Sequence, residues 1–305
     1  MGQYICSRLY QTVLVLFGVS AVVFLLLHIS GDPAVLLLPQ DATQESIDQF
    51  RHTHGFDRPL YVQFYRFMSG AIRGDLGTSL KFNQPALGLV LERFPATLDL
   101  AIAALLISIV TGIPLGIISA LKRNSPVDVS AMIISMLGQS IPAFWLGIMM
   151  ILLFSVKWQI FPPFGRGGIS HLILPAISLS TWSAARVARL TRSGMIEVLS
   201  QEYIRTARAK GLANMVVVQR HALKNAMLPI ITVLELDLGG FLGGAVITET
   251  IFAWPGVGQL AMQSIYSRDY PVVQATVLVV AIGYVAINLL VDVAYAYLNP
   301  RIRFG

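Results

Sequence analysis

Residues 97–121 read TLDLAIAALLISIVTGIPLGIISAL, a run in which Asp99 is the only charged side chain. An α-helix needs about 20 mostly apolar residues to cross the roughly 30 Å of hydrocarbon in a bilayer. Mostly apolar runs of this length lie near residues 9–29, 97–121, 129–156, 172–193, 226–248 and 272–298. The sequence therefore predicts an all-α integral membrane protein with six transmembrane helices.

Composition excludes an ordinary soluble enzyme. Of the 305 residues, 55% are hydrophobic and 12% are charged, whereas soluble domains carry about 25% charged residues. The net charge of +6 comes from basic residues at the ends of apolar runs, as in membrane proteins, so nucleic-acid binding is not predicted. The sequence contains no G-x-x-x-x-G-K-[ST], H-E-x-x-H or G-x-S-x-G motif. We therefore expect no catalytic centre, resident metal or cofactor in this chain.

The basic residues of the short loops predict the orientation, because they are enriched on the cytoplasmic side. One side collects Arg8, Lys122, Arg123, the basic series from Arg186 to Lys224, Arg301 and Arg303. The opposite side has Lys157, Arg166 and Arg268. Both termini are therefore predicted to be cytoplasmic. We expect an N-terminal anchor helix at 1–29, an external subdomain of short helices at 30–95, and a five-helix core at 96–305 with a cytoplasmic loop at 194–225.

Helix-breaking residues and carboxylates interrupt the apolar runs. Gly112, Pro114 and Gly116 permit either close helix packing or irregular backbone around a hydrated path. Glu235 and Asp237 lie in the fifth run, where an ionisable residue is a functional candidate. They project about 200° apart on a helix and so are not an acid–base pair. We expect at least one to line a hydrated path or to pair with a basic group.

A turn between the fifth and sixth runs is a second candidate for the path. It contains Trp254 and Pro255. The aromatic residue could lie at the membrane interface, where tryptophan is enriched. Alternatively, the turn could close an outer gate or contact a partner outside the membrane.

The strongest functional signal is EYIRTARAKGLANMVVVQRHALKNAMLP at residues 202–229. Tyr203, Ala207 and Gly211 have the spacing i, i+4, i+8 and predict a ridge on one face of a helix that ends at Gly211. The flanking cations are Arg205, Arg208 and Lys210. Such a segment could lie on anionic lipid, pack within the chain or dock a cytoplasmic protein. Small ridge residues favour docking, because a lipid-binding face carries larger apolar side chains.

At these residues the chain resembles the membrane permeases of ABC importers, whose cytoplasmic loop carries an E-A-A-x-x-x-G pattern followed by L-P. The corresponding stretch here is Arg205-Thr206-Ala207 with Gly211, then Leu228-Pro229. Arg205 replaces the glutamate and the spacing before Pro229 is longer. YIRTARAKGL and HALKNAMLP are similar to the peptide/nickel branch of that family. Further similar pieces are HISGDP (28–33), DRPLYVQFYRF (57–67), GDLGTS (74–79), FPATL (94–98), IPAFWLG (141–147), TETIFAWPGVGQL (248–260), RDYPVVQ (268–274) and VDVAYAYLNPRIR (291–303).

The resemblance implies a type I importer permease fold in a bacterial inner membrane. It implies a second homologous permease, two cytoplasmic ATPases that bind ATP and magnesium, and a periplasmic or lipid-anchored solute-binding protein. The implied substrates are di- or oligopeptides, with glutathione or nickel and other metal chelates as alternatives. The implied ATPase-docking residues are Tyr203, Arg205, Thr206, Ala207, Arg208, Lys210 and Gly211. A proton-coupled secondary transporter that uses Glu235 or Asp237 is the alternative that needs no ATPase.

Overall fold

The computed structural model describes residues 2–29, 34–35, 38 and 42–298, and within these residues the chain is helical with no β-strand. Arg301 and Arg303, used above for orientation, lie outside the described residues. The helices are α1 Gly2–Ile29, α2 Gln44–His54, α3 Leu60–Ile72, α4 Ala86–Leu121, α5 Pro126–Ser140, α6 Ala143–Met150, α7 Ile169–Leu199, α8 Glu202–Ala209, α9 Asn214–Val216, α10 Lys224–Gly244, α11 Val246–Ile251, α12 Val257–Tyr266 and α13 Tyr270–Leu298. Seven-residue π-helical segments follow α6, at Ile151–Lys157, and α9, at Val217–Leu223.

Most of the predicted apolar runs form helices that are long and apolar enough to cross a membrane. Among the described residues, four segments meet both conditions: Tyr10–Ile29, Ala86–Leu121, Asn214–Gly243 and Tyr270–Leu289. A fifth crossing is compatible with Pro126–Ser140 and Ala143–Lys157, which are bent by 99° with respect to each other. The remaining predicted run lies in α7, whose 31 residues extend about 46 Å at 1.5 Å per residue. This helix is long enough to span but is more polar.

One unit of the chain combines residues 1–97 with 255–305. In it, α1 packs on α13, and the Tyr270 hydroxyl donates to the Leu27 carbonyl at 2.7 Å. The predicted external region contains short helices, as expected, and His28 Nε2 lies 3.0 Å from Gln63 Oε1. The structure therefore groups the last helix with the N-terminal residues, whereas the sequence placed it in a core of residues 96–305. Helix α4 also continues through residue 95, where the sequence placed a boundary.

Buried Asp269 organises the loop before α4. Its carboxylate accepts hydrogen bonds from the Ser79 hydroxyl at 2.5 Å and from the backbone N–H groups of Leu80 and Lys81 at 3.1 and 3.3 Å. A buried carboxylate is stable only when its lone pairs are satisfied in this way. The GDLGTS and RDYP motifs, almost 200 residues apart, therefore meet at one structural contact.

The second unit spans residues 98–254, and α7 packs against α5, α6 and α10 within it. The apolar side chains of Val187, Ile230 and Leu234 form part of the core between α7 and α10. Pro114 does not interrupt α4, which is continuous from Ala86 to Leu121.

Gly112 and Gly116 allow α4 to approach α7 closely. A Cβ atom on Gly112 would lie 2.7 Å from the Ala184 carbonyl oxygen, and one on Gly116 would lie 2.5 Å from the Ala188 carbonyl oxygen. Both distances are shorter than a van der Waals contact, and both obstacles are backbone atoms that cannot rotate away. Of the two roles considered for this segment, the structure supports close helix packing.

We expect Gly116→Ala to destabilise the protein by about 1–3 kcal/mol, because the added methyl group forces α4 and α7 apart. Gly88→Ala is the matched control in the same helix, since a Cβ atom there meets nothing within 4 Å. Thermal unfolding midpoints of the purified variants in detergent measure the effect. Equal midpoints for the two variants would contradict the close-packing role of Gly116.

Candidate functional site

Between α7 and α10, the basic segment forms a loop that contains α8, α9 and the π-helical segment Val217–Leu223. Helix α8 is strongly amphipathic, with Ile204 fully buried and the cationic residues on the opposite side. Gly211 follows this helix with φ 78°, a left-handed conformation that glycine adopts without a Cβ penalty. Its N–H donates to the Arg208 carbonyl at 2.9 Å. The predicted helix end at Gly211 is therefore present.

Ala207 lies in the core and does not form an exposed ridge. It is 7% exposed and packs with Ile204 above the helices that enter and leave the loop. The core beneath α8 consists of Ala120, Met195, Ile204, Ala207, Val217, Val218, Ala222 and Ala226. The small side chain at position 207 thus permits close packing of the loop onto its own chain, which corrects the prediction that the ridge as a whole faces a partner.

The outer face of α8 is charged and open. Arg205, Thr206 and Arg208 are exposed, as are Lys210 and Gly211 in the following turn. Arg205 pairs with Glu202 at 2.8 Å, but both side chains are exposed, at 71% and 84%. Such a surface pair contributes little to stability. These cations are therefore available to a partner at small energetic cost.

Two residues of this surface were missed by the sequence argument. Met215 is 66% exposed and Leu212 is also exposed, next to the cations. Tyr203 is exposed, and its hydroxyl accepts a hydrogen bond from Asn225 Nδ2 at 2.9 Å. Exposed methionine beside a basic patch is a signal that could have been read from the sequence, because its flexible side chain suits protein contacts.

A buried ion pair fixes α7 just before the loop. Arg192 donates to both oxygens of Asp128, with Nε–Oδ1 and Nη2–Oδ2 distances of 2.6 and 2.7 Å. The Ser119 hydroxyl and the Asn124 N–H also donate to this carboxylate. Asp128 lies in the first turn of α5 and is almost fully buried. The pair therefore joins α7 to the α4–α5 corner, a link that the sequence argument did not foresee.

A second ion pair joins α7 to α10, on the other side of the loop. Asp237, nearly buried, accepts hydrogen bonds from the Ser183 hydroxyl at 2.5 Å and from the Arg186 guanidinium. The same guanidinium lies 4.4 Å from the centre of the Trp182 ring. Of the two roles expected for the carboxylates, Asp237 takes the pairing role. Glu235 is partly buried on the same helix.

Trp254 lies in the turn that follows α11. Trp254 is buried, Pro255 is partly buried, and the Arg166 guanidinium lies 6.0 Å from the Trp254 ring centre. Arg166 in turn pairs with Asp99 at 2.5 Å. The tryptophan therefore holds the 158–168 loop, and it does not have the exposed position expected for an aromatic residue at the membrane interface.

No metal-binding cluster is present in the part of the chain that the structure describes, where three or more His, Cys, Asp or Glu side chains nowhere come together in a suitable arrangement.

Comparison with known families identifies the chain over nearly its full length. Residues 112–304 match the model of the binding-protein-dependent transport system inner membrane component, and residues 1–101 match the N-terminal model of the same membrane components. The glutathione transport system permease protein GsiC of Escherichia coli is 42% identical over 305 residues and covers all of both chains.

Two further relatives are similarly close. The dipeptide transport system permease protein DppB of Alkalihalophilus pseudofirmus is 40% identical over 333 residues, with both chains fully covered. The probable D,D-dipeptide transport system permease protein DdpB of Escherichia coli is 44% identical over 329 residues, covering 98% of this chain and 97% of the relative.

Solved structures support the fold. The inward-facing MetNI methionine ABC transporter matches with a TM-score of 0.59 at 22% identity, covering 69% of this chain and 96% of the matched chain. A second crystal form gives a TM-score of 0.60 at 20% identity with the same coverage. The all-α permease fold of ABC importers, expected from the sequence motifs, is thereby confirmed.

We expect Asp128→Asn to destabilise the protein by about 3–5 kcal/mol, because it leaves Arg192 without its charged partner in a buried position. Glu202→Gln, which removes the exposed pair with Arg205, should cost no more than about 1 kcal/mol. Thermal unfolding of both variants in detergent measures the difference.

A double variant separates the ion pair from general damage at this corner. Combining Asp128→Leu with Arg192→Met removes both charges of the pair. The double variant should lose less stability than the sum of the losses in the two single variants. Strictly additive losses in the double variant would contradict a coupled pair.

Proposed function

Because the chain belongs to the family of inner-membrane components of binding-protein-dependent transport systems, and is the permease subunit of an ABC importer, we propose that its transported substrates are di- and oligopeptides. The relatives described above carry names that refer to dipeptides, D,D-dipeptides and glutathione, all of them short peptides. Glutathione is the second candidate substrate, because GsiC matches this chain from end to end. The chain itself is not an enzyme, and separate subunits hydrolyse ATP.

The complex we propose contains a second homologous permease, two cytoplasmic ATPases that bind ATP and magnesium, and a periplasmic or lipid-anchored solute-binding protein. The family description supports a multi-pass inner-membrane protein that depends on a binding protein. In our proposal both termini and the loop at 194–225 are cytoplasmic. The subdomain at 30–95 is then external, at the lipid surface on the side of the solute-binding protein.

The ATPase-docking surface consists of Tyr203, Arg205, Thr206, Arg208, Lys210, Gly211, Leu212 and Met215. The observation that carries this proposal is the division of α8 into a buried apolar face and an open basic face. The apolar face seats the loop on α7 and α10, while the basic face carries exposed cations and the exposed Met215. A surface of this kind suits an acidic protein groove with an apolar floor.

The two buried ion pairs supply a route from this surface to the membrane helices. Arg192–Asp128 fixes the end of α7 to the α4–α5 corner, and Arg186–Asp237 fixes α7 to α10. A displacement of α8 therefore moves α7 and, through the two ion pairs, also α10 and the α4–α5 corner. Such packed elements shift between discrete arrangements, as alternating access requires.

Asp237, Glu235, Trp254 and Pro255 are proposed to support this path structurally. Asp237 is already neutralised by Arg186, and Trp254 is buried, so neither offers a free proton-binding or gating surface in this arrangement. The energy source is instead the ATPase pair, which agrees with family membership. A proton-coupled mechanism is therefore not favoured.

Transport by the complete complex tests the function. The permease pair and its ATPases are reconstituted in proteoliposomes, and uptake of a labelled dipeptide is measured with the cognate binding protein, with and without ATP. We expect ATP-dependent uptake that persists with a protonophore. Uptake driven by a proton gradient without ATP would contradict the proposal.

The docking surface is tested by charge reversal at Arg208. We expect Arg208→Glu to reduce co-purification of the ATPase subunits at least about tenfold, because like charges across an interface are costly. Arg123→Glu is the matched control, since Arg123 is an exposed arginine in the α4–α5 turn. Gly211 is a poorer test position because any other residue there is strained at φ 78°. Full retention of the ATPases by the Arg208 variant would remove α8 from the interface.

The proposed orientation is tested by labelling single cysteines in a Cys6→Ser background. Gln49→Cys lies on exposed α2 and Met215→Cys lies on the docking surface. An impermeant maleimide added outside spheroplasts should label position 49, and position 215 only after permeabilisation. Labelling of both positions from outside would contradict the topology.

A further inference from the structure

Helix α7 presents a polar stripe that its own chain leaves uncovered. Eleven of the 31 residues of this helix are buried, including Ser183, Val187, Thr191 and Met195. The exposed residues at 182, 189 and 193 and the partly exposed residue at 186 are spaced by three or four positions and therefore lie on one face. We call this face, formed by Trp182, Arg186, Arg189 and Ser193, the α7 stripe.

The stripe contains both an aromatic surface and cations. Trp182 is 47% exposed and the Arg186 side chain is 27% exposed, with its guanidinium against the indole ring. Arg189 is exposed, and among the described residues no hydrogen bond or ion pair joins its side chain to another group. The stripe extends about 16 Å along the helix at 1.5 Å per residue.

Hydrocarbon is an unfavourable environment for the charged side chains of this face. Charged side chains in a membrane-spanning helix face a water-filled cavity or another polar protein surface, because exposure to lipid costs several kcal/mol. Helix α7 has the length of a span but is not among the apolar segments of the described chain. The stripe therefore faces the transport path or the second permease.

We propose that the α7 stripe lines the transport path and that Arg189 contacts the carboxylates of a passing peptide. This inference rests on the proposed peptide function. Charge complementarity favours the substrate over the second permease as its neighbour. Among the described residues, Asp237 balances the charge of Arg186 and Asp128 balances that of Arg192, so Arg189 is the α7 arginine that has no ion-pair partner there. Arginine presents several N–H donors that match a carboxylate.

Arg186 and Trp182 have a supporting role in this site. The Ser183 hydroxyl donates to Asp237, whose carboxylate pairs with Arg186, so the Arg186 guanidinium keeps a fixed position against the indole ring of Trp182. Arg186 Nε is buried and makes no hydrogen bond within the described part of the chain. The Trp182 ring offers an apolar surface to a side chain or peptide plane. Contact with such a surface does not depend on one particular peptide sequence, as a path for varied peptides requires.

The test measures uptake of two dipeptides by the wild-type complex and its variants, one dipeptide with a glutamate and one with a lysine side chain. In the reconstituted complex, Arg189→Gln should lower the ratio of acidic to basic peptide uptake about fivefold, the effect expected of one partly solvated ion pair. Arg189→Lys should retain most of the wild-type ratio because it keeps the charge. Arg123→Gln, which removes an exposed arginine from the α4–α5 turn, should leave the ratio unchanged.

Three outcomes would overturn the inference, and they are distinguishable. An unchanged ratio in Arg189→Gln, with normal uptake by the wild type, removes Arg189 from the path and leaves the peptide function intact. Loss of the second permease on purification of Arg189→Gln assigns the stripe to the subunit interface. Failure of the wild-type complex to import either dipeptide overturns the proposed peptide function itself, and this inference with it.

Discussion

A charged group inside a membrane protein must be paired or hydrated, and this requirement governs the arrangement around α7. Three arginines lie along that helix at intervals of three residues. Two of them reach buried carboxylates on different helices, Asp237 on α10 and Asp128 on α5. Breaking either pair leaves an uncompensated charge, so the two ion pairs stabilise the positions of α5 and α10 relative to α7.

The same helix carries the loop that we assign to the ATPases. The loop is seated by apolar contacts from Ile204 and Ala207, while its charges point outward. The buried apolar face of α8 stabilises the loop on its own chain, and the exposed cations form a surface that a partner can recognise. At Gly112 and Gly116, where there is no side chain, the backbone of α4 lies close to the backbone of α7. Together these contacts connect the proposed docking surface to the long apolar helices.

Much of the fold followed from local patterns in the sequence. The lengths of the apolar runs predicted the positions of the long helices, and turn signals between Ser30 and Pro95 predicted short ones. The end of α8 at Gly211 followed from the tolerance of glycine for positive φ. The family motifs, read in order along the chain, predicted the permease class, and the full-length relatives confirm it. The six-span count is compatible with the helices, although α7 is more polar than the other predicted spans.

The sequence by itself determined where helices form, which segments are apolar enough for a membrane, and to which family the chain belongs, because these depend on composition and on spacing within a short window. Only the tertiary structure decided that Ala207 faces inward, that Trp254 is buried, and that Asp237 and Asp128 are bound to arginines 51 and 64 residues away. Helical periodicity establishes that residues share a face, but what that face meets depends on the helices packed against it. Partner choice between distant charges is likewise set by the packing of whole helices, which no local pattern encodes.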